Sequence, residues 1–77
     1  MKHLFVGPME ICLYLAKANE VPNPTIIGRD LTRLEGYGAN VTIHVPKEWT
    51  MPDELQDAIQ RRMVYPNTQV IYHRDNP

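Results

Sequence analysis

The sequence predicts a small α/β domain in which helices alternate with strands. Three observations carry that prediction. Short apolar runs stop at glycine or proline, as Leu4-Phe5-Val6 does before Gly7-Pro8 and as Asn40–Val45 does before Pro46. Between such runs lie stretches whose apolar residues recur with helical spacing. The 77 residues contain no repeat, low-complexity tract or linker, so residues 1–77 are expected to form one compact domain.

Leu4-Phe5-Val6 is continuously apolar and reads as a strand buried on both faces. Pro8 suits the start of a helix, where its missing N–H is not needed. Met9 to about Asn19 then reads as that helix, with Ile11, Leu15 and Ala18 in one stripe, widened by Cys12 and Ala16. Glu10, Tyr14 and Lys17 fall on the opposite, wetter face. Val21-Pro22-Asn23-Pro24 breaks the chain, because each proline disfavours helix at the residue before it.

Residues 25–35 admit two readings. As a helix, Ile27, Leu31 and Leu34 align, and Gly36 or Gly38 supplies a C-terminal cap. As a strand, Gly28 and Asp30 would share a face with Ile26, and both are poor strand formers. The helix is favoured. In Asn40–Val45, Val41, Ile43 and Val45 face one way and Asn40, Thr42 and His44 the other, the alternation of a strand. Thr50-Met51-Pro52-Asp53 opens a further helix, with Thr50 as N-cap. Its apolar stripe is Leu55, Ala58, Ile59 and Met63, and Asp57 can pair with Arg61 one turn on. Tyr65-Pro66-Asn67 is a turn and Thr68–His73 the last strand. The predicted unit is β-α-α-β-α-β, with a three-stranded, mostly parallel sheet and the first strand central. If residues 25–35 are a strand instead, the order becomes the β-α-β-β-α-β of a ferredoxin-like plait.

Composition narrows the function. Hydrophobic residues make up 43% and charged residues 22%, globular rather than disordered values. A net charge of −1 argues against nucleic acid as partner, since each neutralised phosphate needs a Lys or Arg. A regulator using Arg29, Arg33, Arg61 and Arg62 is therefore the least favoured of three functional readings. One cysteine, Cys12, cannot make an internal disulfide, and its apolar neighbours place it in the core. The apolar run near the start is too short for a secretory or membrane segment, so a cytoplasmic protein is expected.

Two sets of residues are candidate sites. Gly7-Pro8, with Glu10 on the following helix, has the form of a strand-to-helix turn that binds phosphates. Only one glycine is present, however, and Pro8 removes an amide donor. His44 and His73 would join it as ligand-binding residues at the C-terminal strand ends, with His3 also on or beside a strand. No HxH, CxxC or HExxH spacing occurs, so neither a metal nor a cofactor is expected. The second set is the loop aromatics Trp49, Tyr37 and Tyr65 with Arg61 and Arg62, as lids over a small core or as anchors on a protein partner.

Phe5-Val6-Gly7-Pro8 with Glu10 is similar to the opening of nucleoside deoxyribosyltransferases over about ten residues. Those enzymes are about twice as long, and no catalytic role is carried over. More broadly, three phrases resemble small accessory proteins, of early lytic type, of bacteriophages that infect actinobacteria: Met1-Lys2-His3-Leu4-Phe5-Val6-Gly7-Pro8-Met9-Glu10, Leu34-Glu35-Gly36-Tyr37-Gly38-Ala39-Asn40-Val41-Thr42 and His44-Val45-Pro46. That resemblance implies a non-enzymatic protein acting on a host component, and no site residues. The expected function is an interaction module, a homodimer or a binder of a host protein. The alternative is a small-ligand or nucleotide-binding domain using Gly7, Glu10, His44 and His73.

Overall fold

The computed structural model describes residues 2–47 and 52–73. The elements are β1 (Lys2–Val6), α1 (Met9–Ala18), β2 (Thr25–Gly28), a 3₁₀ helix (Leu31–Gly36), β3 (Val41–Pro46), α2 (Pro52–Arg62) and β4 (Thr68–His73). The four strands form one sheet in the order β2-β1-β3-β4, with every pairing parallel.

This corrects the predicted three strands to four. Residues 25–35 divide into a strand and a 3₁₀ helix rather than forming one α-helix. Pro22 and Pro24 deliver an extended chain, and Thr25 and Ile26 pair with Leu4 and Phe5. Gly28, at φ +72°, ends the strand in a conformation that only glycine adopts cheaply. Leu31 and Leu34 then lie three residues apart, which in a 3₁₀ helix stacks them on one side. The helical spacing thus identified the right inward residues, Ile27, Leu31 and Leu34, with the wrong backbone. The element order is that of the plait alternative, but β1 separates β2 from β3. The hairpin between consecutive strands that a plait requires is not formed.

Each face of the sheet has its own core. On one, Leu4, Val6, Val41, Ile43 and Val45 pack with Ile27, Leu31 and Leu34 and with Leu55 and Ala58 of α2. On the other, Phe5 packs with Cys12, Leu15 and Ala16 of α1, with Val21 and Ile26 at the margin. The two helices therefore cover opposite faces. α1 lies over β1 and β2, and among the described residues no helix covers β3 and β4 on that side. Parallel sheets are normally covered on both faces, so half of this face lacks its usual layer.

Two helix stripes are rotated from expectation. In α1 the inward residues are Cys12, Leu15 and Ala16, while Ile11 stays 40% exposed and Ala18 is exposed. In α2 the stripe ends at Arg62 instead of Met63, which is 59% exposed. The expected Asp57–Arg61 pair gives way to Arg61–Glu35 at 2.7 Å, which joins α2 to the 3₁₀ helix. Thr50 lies outside the described residues.

Gly28 and Gly36 separate backbone strain from crowding, because a Cβ at either would meet nothing within 4 Å. Only Gly28 has positive φ. Gly28→Ala is expected to lower stability by about 1–2 kcal/mol, and Gly36→Ala to change it by less than about 0.5 kcal/mol, both read from urea denaturation midpoints.

Candidate functional site

The most distinctive polar feature crosses the sheet on the α1 side. Parallel register places Phe5 beside His44 and His44 beside Ile71. His3 is two residues before Phe5, and His73 two residues after Ile71, so the three histidines form a diagonal over β1, β3 and β4. Diagonal neighbours of this kind are within reach of long side chains. His3 Nδ1 lies 2.9 Å from His44 Nε2, and His44 Nδ1 lies 2.7 Å from His73 Nε2. The His44 ring stacks on Phe5 with centroids 4.2 Å apart. His44 is 4% exposed, whereas His3 and His73 are half-buried.

Each short N···N contact needs one donor and one acceptor. Both nitrogens of His44 are engaged, one on each side, so no single metal ion can draw the three rings together through free lone pairs. Among the described residues no group of three His, Cys, Asp or Glu side chains is placed to hold a metal. Burial, followed by the charges of His73 and His3, holds the His44 pKa down at about 4. Burial also lowers that of His73.

The turn after β1 has its backbone committed internally. Gly7 N–H donates to Gly28 carbonyl at 2.8 Å, and Gly7 carbonyl accepts from Cys12 Sγ at 3.6 Å. Ile11 and Cys12 N–H groups turn to the Pro8 carbonyl. Burial raises the Cys12 pKa, against thiolate chemistry. Glu10 is exposed on α1. Gly7 and Glu10 are therefore near each other in the chain, whereas the histidines form a separate constellation over the sheet. The strand order nevertheless puts the point where the crossovers diverge between the C-terminal ends of β1 and β3, beside Gly7 and Lys47.

Arg62 was placed on an outer surface by sequence reasoning and is instead fully buried. Its guanidinium donates to the carbonyls of Leu34, Tyr37 and Gly38, and it lies 4.6 Å from the centroid of the Tyr65 ring. Tyr37 packs against the larger core, with Lys2 Nζ 6.0 Å from its ring centroid. Arg62, Tyr37 and Tyr65 thus form one clasp that fastens the segment before β3 to the end of α2. Arg61 is exposed and paired with Glu35. Trp49 lies outside the described residues. A shallow cleft of about 210 Å³ involves Arg29, Asp30, Thr32, Glu54, Asp57 and Arg61, charges of both signs on exposed side chains.

No protein-family model matches the chain, and comparisons with curated proteins and with solved structures return no match either.

The sequence pattern places His44 and His73 toward C-terminal strand ends and His3 on or beside another strand, without contact among them. The missing signal was register: His3 joins only because β1 and β3 are adjacent and parallel. Two predictions follow from these polar groups. Arg62→Ala removes three charge-assisted bonds to backbone carbonyls and should cost about 3 kcal/mol, measured by denaturant unfolding. An unfolded histidine takes up a proton near pH 6.5, but folded His44 does so only near 4. The unfolded chain therefore binds more protons in that interval, so stability should be level above about pH 6.5 and fall as pH drops toward 4. His44→Phe should flatten that fall in urea midpoints measured across the interval.

Proposed function

We propose that the chain is a non-enzymatic interaction module whose partner is a second copy of itself, joined through the outer side of α1. The observation that supports this reading is the pattern Glu10, Leu13, Tyr14 and Lys17. At spacings of i, i+3, i+4 and i+7 these residues share one helix side, and Leu13 and Tyr14 are 53% and 51% exposed. Met9 at 55% and Ile11 at 40% extend the apolar surface on either flank. Scattered exposed apolar residues are ordinary, but four on a ten-residue helix form a patch.

The charges favour a second copy. Glu10 begins the stripe and Lys17 ends it, with the apolar pair between. A two-fold axis through Leu13 and Tyr14 would run the two helices antiparallel and bring each Glu10 opposite Lys17 of the partner subunit. Isologous contacts are self-complementary in this sense. Burying this side would also give the thin α1 layer the backing that so short a chain otherwise lacks.

A second reading, nucleotide or small-ligand binding, is favoured only by the divergence of the crossovers between β1 and β3, where open α/β sheets bind ligands. The internal bonds of Gly7 leave that turn few free donors. A thermal-shift panel of nucleotides distinguishes this reading, because tight ligands raise the melting temperature.

Sedimentation equilibrium tests the dimer. Leu13→Glu should leave a folded monomer. Glu10→Lys should weaken association about tenfold by replacing two attractions with repulsions, and Glu10→Lys combined with Lys17→Glu should restore it. A wild type that stays monomeric at high concentration, or a double variant no tighter than the single one, overturns the reading.

A further inference from the structure

We propose that His3, His44 and His73 act as a one-proton relay across the sheet, taking up a single proton in mild acid and passing it between the two half-buried ends through the buried His44 ring. The inference is independent of the α1 contact. It rests on the two N···N separations and on counting hydrogens.

Three neutral imidazoles carry three ring protons. Two occupy the His3–His44 and His44–His73 contacts, one proton in each, and the third sits at an outer end. A neutral chain is therefore directional: one end donates and the other accepts. Reversing the direction moves one proton in from one end, one across each contact, and one out at the other end.

A fourth proton enters without breaking either contact. It occupies the remaining outer nitrogen, so both ends become donors and each inner contact still holds one proton. The positive charge then belongs to whichever ring carries two protons, and moving a proton within a contact transfers that charge to the next ring. A fifth proton has no such place. It would set two N–H groups face to face at 2.7 or 2.9 Å, and one contact would have to open. The chain accepts one proton and resists a second.

The surroundings keep the charge at the ends. The rings that reach His44 are His3 from β1 and His73 from β4, with Phe5 stacked on its plane. From α1, Cys12 is buried on the Phe5 side, while Glu10, Tyr14 and Lys17 are exposed. On β4, the neighbouring residues of the same face are Gln69 and Ile71, both uncharged and exposed. The depressed His44 pKa agrees with a centre ring that passes charge on and does not keep it. His73 ends at the C-terminal edge of the sheet and His3 begins near the other, so an anion at either end would draw the charge toward itself. Such pull is the coupling that makes histidine chains acid-sensitive.

Imidazole nitrogen NMR through a pH titration from 8 down to about 4.5 reads both tautomer and charge. In the wild type, His3 and His73 should each change by about half the full protonation shift over one common interval, while His44 stays neutral. In His44→Phe, which keeps a ring on Phe5, His3 and His73 should each titrate fully and independently. His3→Gln provides a second variant that keeps the central ring, and there His73 should show the full shift alone. Full, independent titration of His3 and His73 in the wild type would overturn the relay, as would a wild-type curve superimposable on that of His44→Phe.

Discussion

A parallel sheet is normally covered on both faces, and among the described residues only two α-helices are there to do it. Everything distinctive about the molecule follows from that shortage. α2 and the 3₁₀ helix close one face into a continuous core that runs from Ile27 to Ala58. α1 closes half of the other, over Phe5 and Ile26. Apolar side chains on the uncovered half stay exposed, as Ile71 does, and the buried His44 ring there is satisfied by its histidine neighbours. His3 and His73 do so through their rings, with His44 stacked on Phe5. A buried polar group of this kind is tolerable only when each of its bonds is made.

Arg62 meets the same shortage at the edge of the closed face. The guanidinium donates to the Tyr37 and Gly38 carbonyls in the chain between the 3₁₀ helix and β3, and to the Leu34 carbonyl within that helix, which also accepts the Tyr37 N–H. Its geometry suits a fork of donors, and the Tyr65 ring gives the cation a second partner. A side chain that composition alone would assign to the solvent is thereby a keystone of packing. Three of the five residues first considered for partner contact, Tyr37, Arg62 and Tyr65, belong to this clasp. The surface proposed for a dimer lies on α1, a helix whose apolar spacing predicts mainly core contacts.

Much of the fold was legible before any coordinates. β1 and β3 are evident as a short apolar and an alternating run each ended by a turn residue, β4 as the segment after the Tyr65-Pro66-Asn67 turn, and α1 and α2 from their helical apolar spacing. Thr25–Gly28 is not. Its pattern fits a helix as well as a strand, and the choice was made by pairing with β1, a tertiary contact that local propensity does not encode. The rotation of α1 was hidden for a related reason: Ile11 and Cys12 are both apolar, and only the position of the sheet decides which points inward. Of the candidate site, the sequence pattern places His44 and His73 on strands toward their C-terminal ends, whereas the ring contacts among His3, His44 and His73 depend on strand order and register. Arg62 gave no signal, since a buried arginine without a carboxylate differs from an exposed one only through its tertiary neighbours.

In the proposed dimer α1 is an inner layer between two sheets and not the outer wall of a lone domain. Amide hydrogen exchange measured on dilute and on concentrated protein addresses this directly. Protection of the residues of α1 should rise with concentration, while α2 and the 3₁₀ helix, whose core is already closed, should exchange at the same rate in both samples. Exchange in α1 that is unchanged by concentration would contradict the account.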